Sequence, residues 1–187
     1  MNFFRNVHKH FLLIVTICLG LAAGESIDAA AHADSIRPPF GIRHYAIGVA
    51  PNFVLRDIDG EKFELNSTRG QWVFLHFWAS WCGPCIEEMP SIQTLADKLQ
   101  DESFAIVMIN TAEEEDSIFT FLGSLNIELN SLMDADGQVT EAWKPRGLPT
   151  TFLINPDGEV KYQAIGGREW HKPEYINFLK QLLNKSK

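Results

Sequence analysis

Cysteine is scarce in this chain: three residues in 187, at positions 18, 82 and 85. That scarcity excludes a disulfide framework, and a domain of about 150 residues does not need one, since it buries roughly two-thirds of its chain surface on folding. Basic runs are also lacking. The formal net charge is −8 and the Lys and Arg residues are scattered, so the electrostatic footprint of a nucleic-acid binder is missing and no nucleic-acid partner is expected. No apolar run reaches the length of about 20 residues that a membrane span requires. Internal repeats are absent as well.

The longest uncharged apolar run, Phe11 to Ala23, spans 13 residues and follows Arg5 and Lys9. Small residues come next, and Ala31-His32-Ala33 reads as an A-x-A cleavage site before Asp34. A positive start, a short apolar stretch and small residues form the layout of a secretory signal peptide. Residues 1–33 are therefore expected to be an export signal, with an uncleaved N-terminal anchor as the alternative and a cut after Gly24 also open. A lipoprotein signal at Cys18 fits poorly, because Ile17 stands where such signals carry a small residue. The expected location is extracytoplasmic, periplasmic in a cell with two membranes. Residues 34–48, with Pro38, Pro39 and Gly41, show no clear period and are expected to be a linker. Residues 49–187 then form one α/β domain.

Within it, Phe53-Val54-Leu55 and Lys62-Phe63-Glu64-Leu65 flank Asp57-Ile58-Asp59-Gly60, the pattern of a β-hairpin. Trp72 to Trp78 is nearly continuous in apolar residues, as expected of a strand covered on both faces. After the cysteine pair, Ile86, Met89, Ile92, Leu95, Ala96 and Leu99 recur at helical spacing, with Pro90 inside the pattern predicting a kink. Further strands are expected at Phe104–Ile109 and Thr150–Ile154, and at Val160–Ile165 after the turn Asn155-Pro156-Asp157-Gly158; a short edge strand is expected at Leu132-Met133. Helices are expected over Glu113–Leu125, briefly over Val139–Trp143, and from Pro173 onward. Alternating strands and helices with a closing hairpin and helix predict a mixed sheet with helices on both faces.

With Cys18 in the removable segment, Cys82 and Cys85 stand alone. Bridging so short a loop restricts the unfolded chain little, so the pair is better explained by reactivity than by stapling. A dithiol works by thiolate attack on a target disulfide, followed by attack of a second thiol on the mixed disulfide. Cys82 falls between a strand and a helix, where unpaired N–H groups and the helix dipole favour the thiolate and lower a cysteine pKa from about 8.5 to about 7 or below. Pro84 suits the first helical turn. Cys82 is thus the expected exposed nucleophile and Cys85, three residues on, the more buried resolving thiol. A structural zinc site needs four ligands, and His44, His76 and His171 offer no matching spacing, so no metal site is expected. Copper carriage on the two thiols remains a second class of function, although no Met-rich or His-rich tract supports it. A thiol peroxidase is a third.

Phe77-Trp78-Ala79-Ser80-Trp81-Cys82-Gly83-Pro84-Cys85 resembles the active-site motif of the thioredoxin superfamily. Pro90 matches the helix proline that follows the motif. Gly147-Leu148-Pro149-Thr150 resembles the loop that carries the family's cis-proline, and its continuation to Gly158, with Glu88-Met89-Pro90 and Arg69-Gly70-Gln71, is similar to the exported TlpA/ResA branch. The resemblance covers about Val49 to Leu183. It implies a thioredoxin-like three-layer fold with an N-terminal β-hairpin extension. It implies that Pro149, in the cis form, presents the Leu148 backbone to an incoming peptide and keeps metals off the sulfurs, and that Trp81, Gly83 and Pro84 contact partners; for Trp81 plain packing is the alternative. Glu88 matches an acidic residue that tunes the dithiol in some members, whereas its bland role, shared with Glu87, is to complement the helix dipole. His76 stands where thioredoxin carries a buried acid; it either relays the Cys85 proton or is a hydrogen-bonded core residue.

The Gly-Pro pair between the cysteines implies a reductant near about −270 mV rather than an oxidant near about −120 mV. The implied partners are protein disulfides, in apocytochrome c or copper-site assembly proteins, and a membrane-embedded electron donor. No cofactor beyond the dithiol is expected, and the chain is expected to be a monomer.

Overall fold

The continuous apolar run Trp72–Trp78 becomes strand β4, and all seven of its residues are buried. The structure, a computed structural model, describes residues 36–125 and 128–186. The expected export signal lies outside these residues. Among the described residues no helix is long and apolar enough to cross a membrane.

The strands are β1 (Ile42–Val49), β2 (Val54–Asp57), β3 (Lys62–Glu64), β4, β5 (Phe104–Thr111), β6 (Leu132–Asp134), β7 (Thr150–Ile154) and β8 (Glu159–Ile165). The α-helices are α1 (Gly83–Leu99), α2 (Glu115–Leu125), α3 (Gln138–Trp143) and α4 (Pro173–Lys185), with one 3-10 turn at Leu65–Thr68. The strands make one sheet in the order β1-β8-β7-β4-β5-β6-β2-β3. β5 runs parallel to β4 and β6 parallel to β5, while β7 is antiparallel to β4, so the sheet is mixed and β4 sits inside it.

Because side chains alternate across a strand, β4 builds two different layers. Val73, Leu75 and Phe77 join an apolar cluster with Phe152, Ile154, Val160, Val107 and Ile109, covered by Trp143 of α3 and by Phe53 and Leu65 of the N-terminal segment. Phe74, His76 and Trp78 face the other way. There Phe74 packs edge-on against Trp170, His76 meets Glu88 of α1, and Trp78 stacks on Phe121 of α2. α1 buries Met89, Ile92, Leu95 and Leu99 along the expected stripe, and Pro90 stands inside the helix.

Turn chemistry sets the hairpins. Asp57 Oδ1 accepts from the backbone N–H of Asp59 and Glu61, at 3.0 and 2.8 Å, which closes the β2–β3 turn. In the β7–β8 turn, Asn155 Oδ1 accepts from the Glu159 N–H at 2.7 Å. Gly158 has φ +74°, the left-handed region that favours glycine.

Two expectations need correction. The stretch 34–48 is not all linker, because Ile42–Val49 forms the edge strand β1, paired antiparallel with β8. Its register shifts between His44 and Gly48, and most of its side chains are exposed, so no period of two was visible. Leu132-Met133 is not at an edge. The β2–β3 hairpin pairs onto β6 and places two strands outside it.

Candidate active site

β4 ends at Trp78, and the turn Ala79–Cys82 follows, closed by the Cys82 N–H donating to the Ala79 carbonyl at 3.2 Å. Cys82 then caps α1, with extended backbone (φ −89°, ψ 99°) and no side-chain cap. Its carbonyl accepts from the N–H groups of Cys85 and Ile86 at 3.0 and 3.2 Å. Pro84 stands in the first turn, where its missing N–H removes no helical bond. Cys82 and Cys85 are joined as a disulfide, their Cα atoms 5.3 Å apart. Cys85 is fully buried and Cys82 is 6% exposed. Cys85 is the more buried of the two, as expected, but Cys82 is less open than expected in this disulfide form. Trp81 beside it is 70% exposed.

The Leu148–Pro149 bond is cis. Leu148 packs on the apolar cluster, and the Pro149 carbonyl accepts from the Gly166 N–H at 2.9 Å, tying this loop to the end of β8. Gly167 lies against the dithiol turn: a Cβ there would be 2.9 Å from the Pro84 carbonyl oxygen. Gly167 thus lines the site, and only the three-dimensional approach reveals it.

Beneath the dithiol lies a polar nest. Glu88 is 3% exposed, one turn beyond Cys85. Its Oε2 accepts from the Arg168 N–H at 3.0 Å and the Trp170 indole N–H at 3.1 Å. Its Oε1 lies 3.2 Å from Nε2 of His76, which is fully buried. Those two atoms meet hydrogen-bond geometry neither with each other nor with any other atom, so the ion-pair distance counts as contact and not as a formed bond. His76 Nδ1 shares a hydrogen bond with Thr151 Oγ1 at 2.9 Å. His76 does point inward as expected, and Glu88 is no surface complement to the helix dipole. Glu87, by contrast, is exposed.

An open groove of about 570 Å³ runs from Pro84 past Glu87 and Glu88 to Arg168, Glu169 and Lys172. The hydrogen-bonded Lys172 holds the Glu169 carboxyl below its usual range, and Glu169 holds the Lys172 amine above its own. Among the described residues no group of three or more His, Cys, Asp or Glu is arranged to hold a metal ion.

A second contact escapes the sequence entirely. Glu113, at the start of the β5–α2 loop, accepts from the Ser80 N–H at 2.7 Å and from the Ser80 hydroxyl. The Asn110 amide also donates to it at 2.7 Å.

This sheet, with a Cys-Gly-Pro-Cys disulfide at a helix start and a cis-proline loop beside it, defines a thioredoxin-like thiol–disulfide oxidoreductase. Residues 48–163 match the AhpC/TSA family, and the chain belongs to it. Among curated proteins it is similar to the thiol-disulfide oxidoreductase ResA of Bacillus subtilis, 37% identical over 132 residues, 70% of this chain and 74% of that protein. ResA of Bacillus thuringiensis is 31% identical over 172 residues, 92% of this chain and 95% of that protein. Among solved structures, a Chlorobium tepidum protein assigned as a thiol:disulfide interchange protein DsbE matches with TM-score 0.64 and 31% identity. The match covers 74% of this chain and 96% of that one.

Proposed function

We propose that this chain is an exported protein-disulfide reductase in which Cys82 attacks and Cys85 resolves. The observation that carries the reading is the placement of Cys82 as the N-cap of α1 with Cys85 fully buried one turn behind. At that position the first-turn N–H groups and the helix dipole stabilise an anion on the Cys82 sulfur, while burial keeps the Cys85 proton in place until it is needed.

In the reduced protein the Cys82 thiolate attacks one sulfur of a partner disulfide. The bond between the partner sulfurs breaks, and one partner sulfur leaves as thiolate. Cys85 then loses its proton and attacks the Cys82 sulfur, which releases the second partner thiol and restores the Cys82–Cys85 disulfide. Two electrons have passed to the partner, and an external donor must return them. The sequence pattern of residues 1–33 supports an extracytoplasmic location and so a membrane-embedded donor. Resemblance to the TlpA/ResA branch supports apocytochrome c or copper-site assembly proteins as targets. The chain acts as a monomer.

Other site residues take supporting roles. Trp81, Gly83 and Pro84 form the lip that a partner meets, and the backbone of Leu148 before Pro149 pairs with the partner peptide. Glu88, with His76 behind it, offers a buried place for the proton that leaves Cys85.

The test is trapping. A Cys85→Ser variant should accumulate mixed disulfides on Cys82 when exposed to extracytoplasmic protein, and mass spectrometry names the targets. Failure to form any mixed disulfide, with efficient peroxide consumption or submicromolar copper binding by the reduced protein instead, overturns the reading in favour of a thiol peroxidase or a copper carrier.

A further inference from the structure

We propose that Glu113 is a positioning residue for this reaction: its carboxylate clamps the turn Ala79–Cys82 so that Trp81 and the Cys82 sulfur face an incoming disulfide. This rests on Cys82 being the attacking sulfur.

The turn is anchored at its two ends, where Ala79 and Cys82 are buried, and open between them. Its closing bond joins the Cys82 N–H to the Ala79 carbonyl, and Trp81 in its middle projects into solvent. Between those ends, Ser80 is where another loop hydrogen-bonds to the turn. Both Ser80 donors, the N–H and the hydroxyl, go to Glu113, one to each oxygen. A carboxylate is the group that accepts two such bonds at once, and charge makes each roughly twice as strong as a neutral one.

Glu113 is itself held by a rigid base. Asn110, at the end of β5 and fully buried, donates to Oε2. Ala112 adopts the left-handed region, φ +55°, in a residue with a side chain, which costs free energy that the surroundings must supply. Its N–H donates to the Asp134 carbonyl at 3.0 Å. The Asp134 carboxylate in turn accepts from the N–H groups of Val139 and Thr140, at 3.1 and 2.7 Å, at the start of α3. The chain therefore bends out of its relaxed conformation at the residue before Glu113, and the carboxylate ends on the active-site turn. α2 has its own acidic first turn in Glu115 and Asp116, so its dipole is met without Glu113.

The experiment compares Glu113→Gln, Ser80→Ala and the double variant with the unmodified protein. Steady-state reduction of insulin disulfides is measured, together with the 19F spectrum of protein labelled with 5-fluorotryptophan, the Trp81 line being assigned through Trp81→Phe. A clamp predicts KM raised about tenfold in each single variant with kcat within about twofold, a double variant no worse than the weaker single, and a shifted or broadened Trp81 line. Folded variants with lowered thermal midpoints but unchanged KM and an unchanged Trp81 line overturn it. Ser80→Ala removes one hydroxyl and decides the matter alone should Glu113→Gln not fold. If the unmodified protein does not reduce insulin, the reductase reading fails, and the Trp81 line still tests the clamp.

Discussion

The two faces of β4 come from one run of seven residues, yet they do different work. On one face Val73, Leu75 and Phe77 meet only apolar neighbours, with Trp143, Phe152 and Phe53 filling the layer. On the other, Phe74 and Trp78 bracket His76, and buried polar groups gather around it: Glu88, Thr151 and the Trp170 indole N–H. The first face follows from hydrophobic burial alone. The second accepts the cost of burying polar groups beside the end of α1 that carries the sulfurs, and such costs are sustained where chemistry needs them. Stability and redox function should therefore separate by face.

The largest effect belongs to the sulfur itself. Cys82→Ser is expected to bring insulin reduction down to the uncatalysed background while the urea unfolding midpoint of the reduced protein hardly moves. Residual turnover would show that Cys85 can substitute for it. Next comes the apolar face. Leu75→Ala should cost about 2–5 kcal/mol of stability by urea unfolding, with the reduction potential of the folded protein unchanged. A shifted potential would erase the contrast between the faces.

The polar face should show the reverse. Glu88→Gln and His76→Ala are each expected to move the reduction potential by about 30 mV or more, equivalent to about 1.4 kcal/mol for two electrons. Equilibration with a dithiothreitol or glutathione buffer measures this. Unchanged potentials together with an unchanged Cys85 titration would remove both residues from the mechanism and leave them as core packing.

The smallest effect lies on that same face but away from the sulfurs. Tyr162 packs edge-on against Phe178, and burial raises its phenol above the ordinary value. The unfolded chain then releases this proton at a lower pH than the folded one does. Its contribution to stability is therefore complete below about pH 10 and declines as pH rises through the folded value. Urea midpoints taken above about pH 10 should fall less steeply in Tyr162→Phe than in the unmodified protein.

Much of this was legible in the sequence, for physical reasons. The run Trp72–Trp78 reads as a doubly covered strand because both faces are packed, and the helical stripe from Met89 to Leu99 reads directly because one helix face is buried. The dithiol announces itself through the want of other cysteines. β1 stayed hidden because an exposed edge strand with a bulge lacks alternation. The grip of Glu113 on Ser80 joins residues 33 positions apart through a left-handed alanine, and no local pattern encodes that. The meeting of His76 with Glu88 likewise depends on how α1 lies across β4, although the inward direction of His76 follows from strand alternation.

The central claim is that a helix start holds one sulfur ready and keeps the other in reserve. Alkylation rates of Cys82 and Cys85 in the reduced protein, followed by mass spectrometry across pH, measure it directly. The account predicts that Cys82 titrates near pH 7 or below and reacts first, with Cys85 slow throughout. A Cys82 that titrates near the free-cysteine value of about 8.5, or reacts no faster than Cys85, would contradict it.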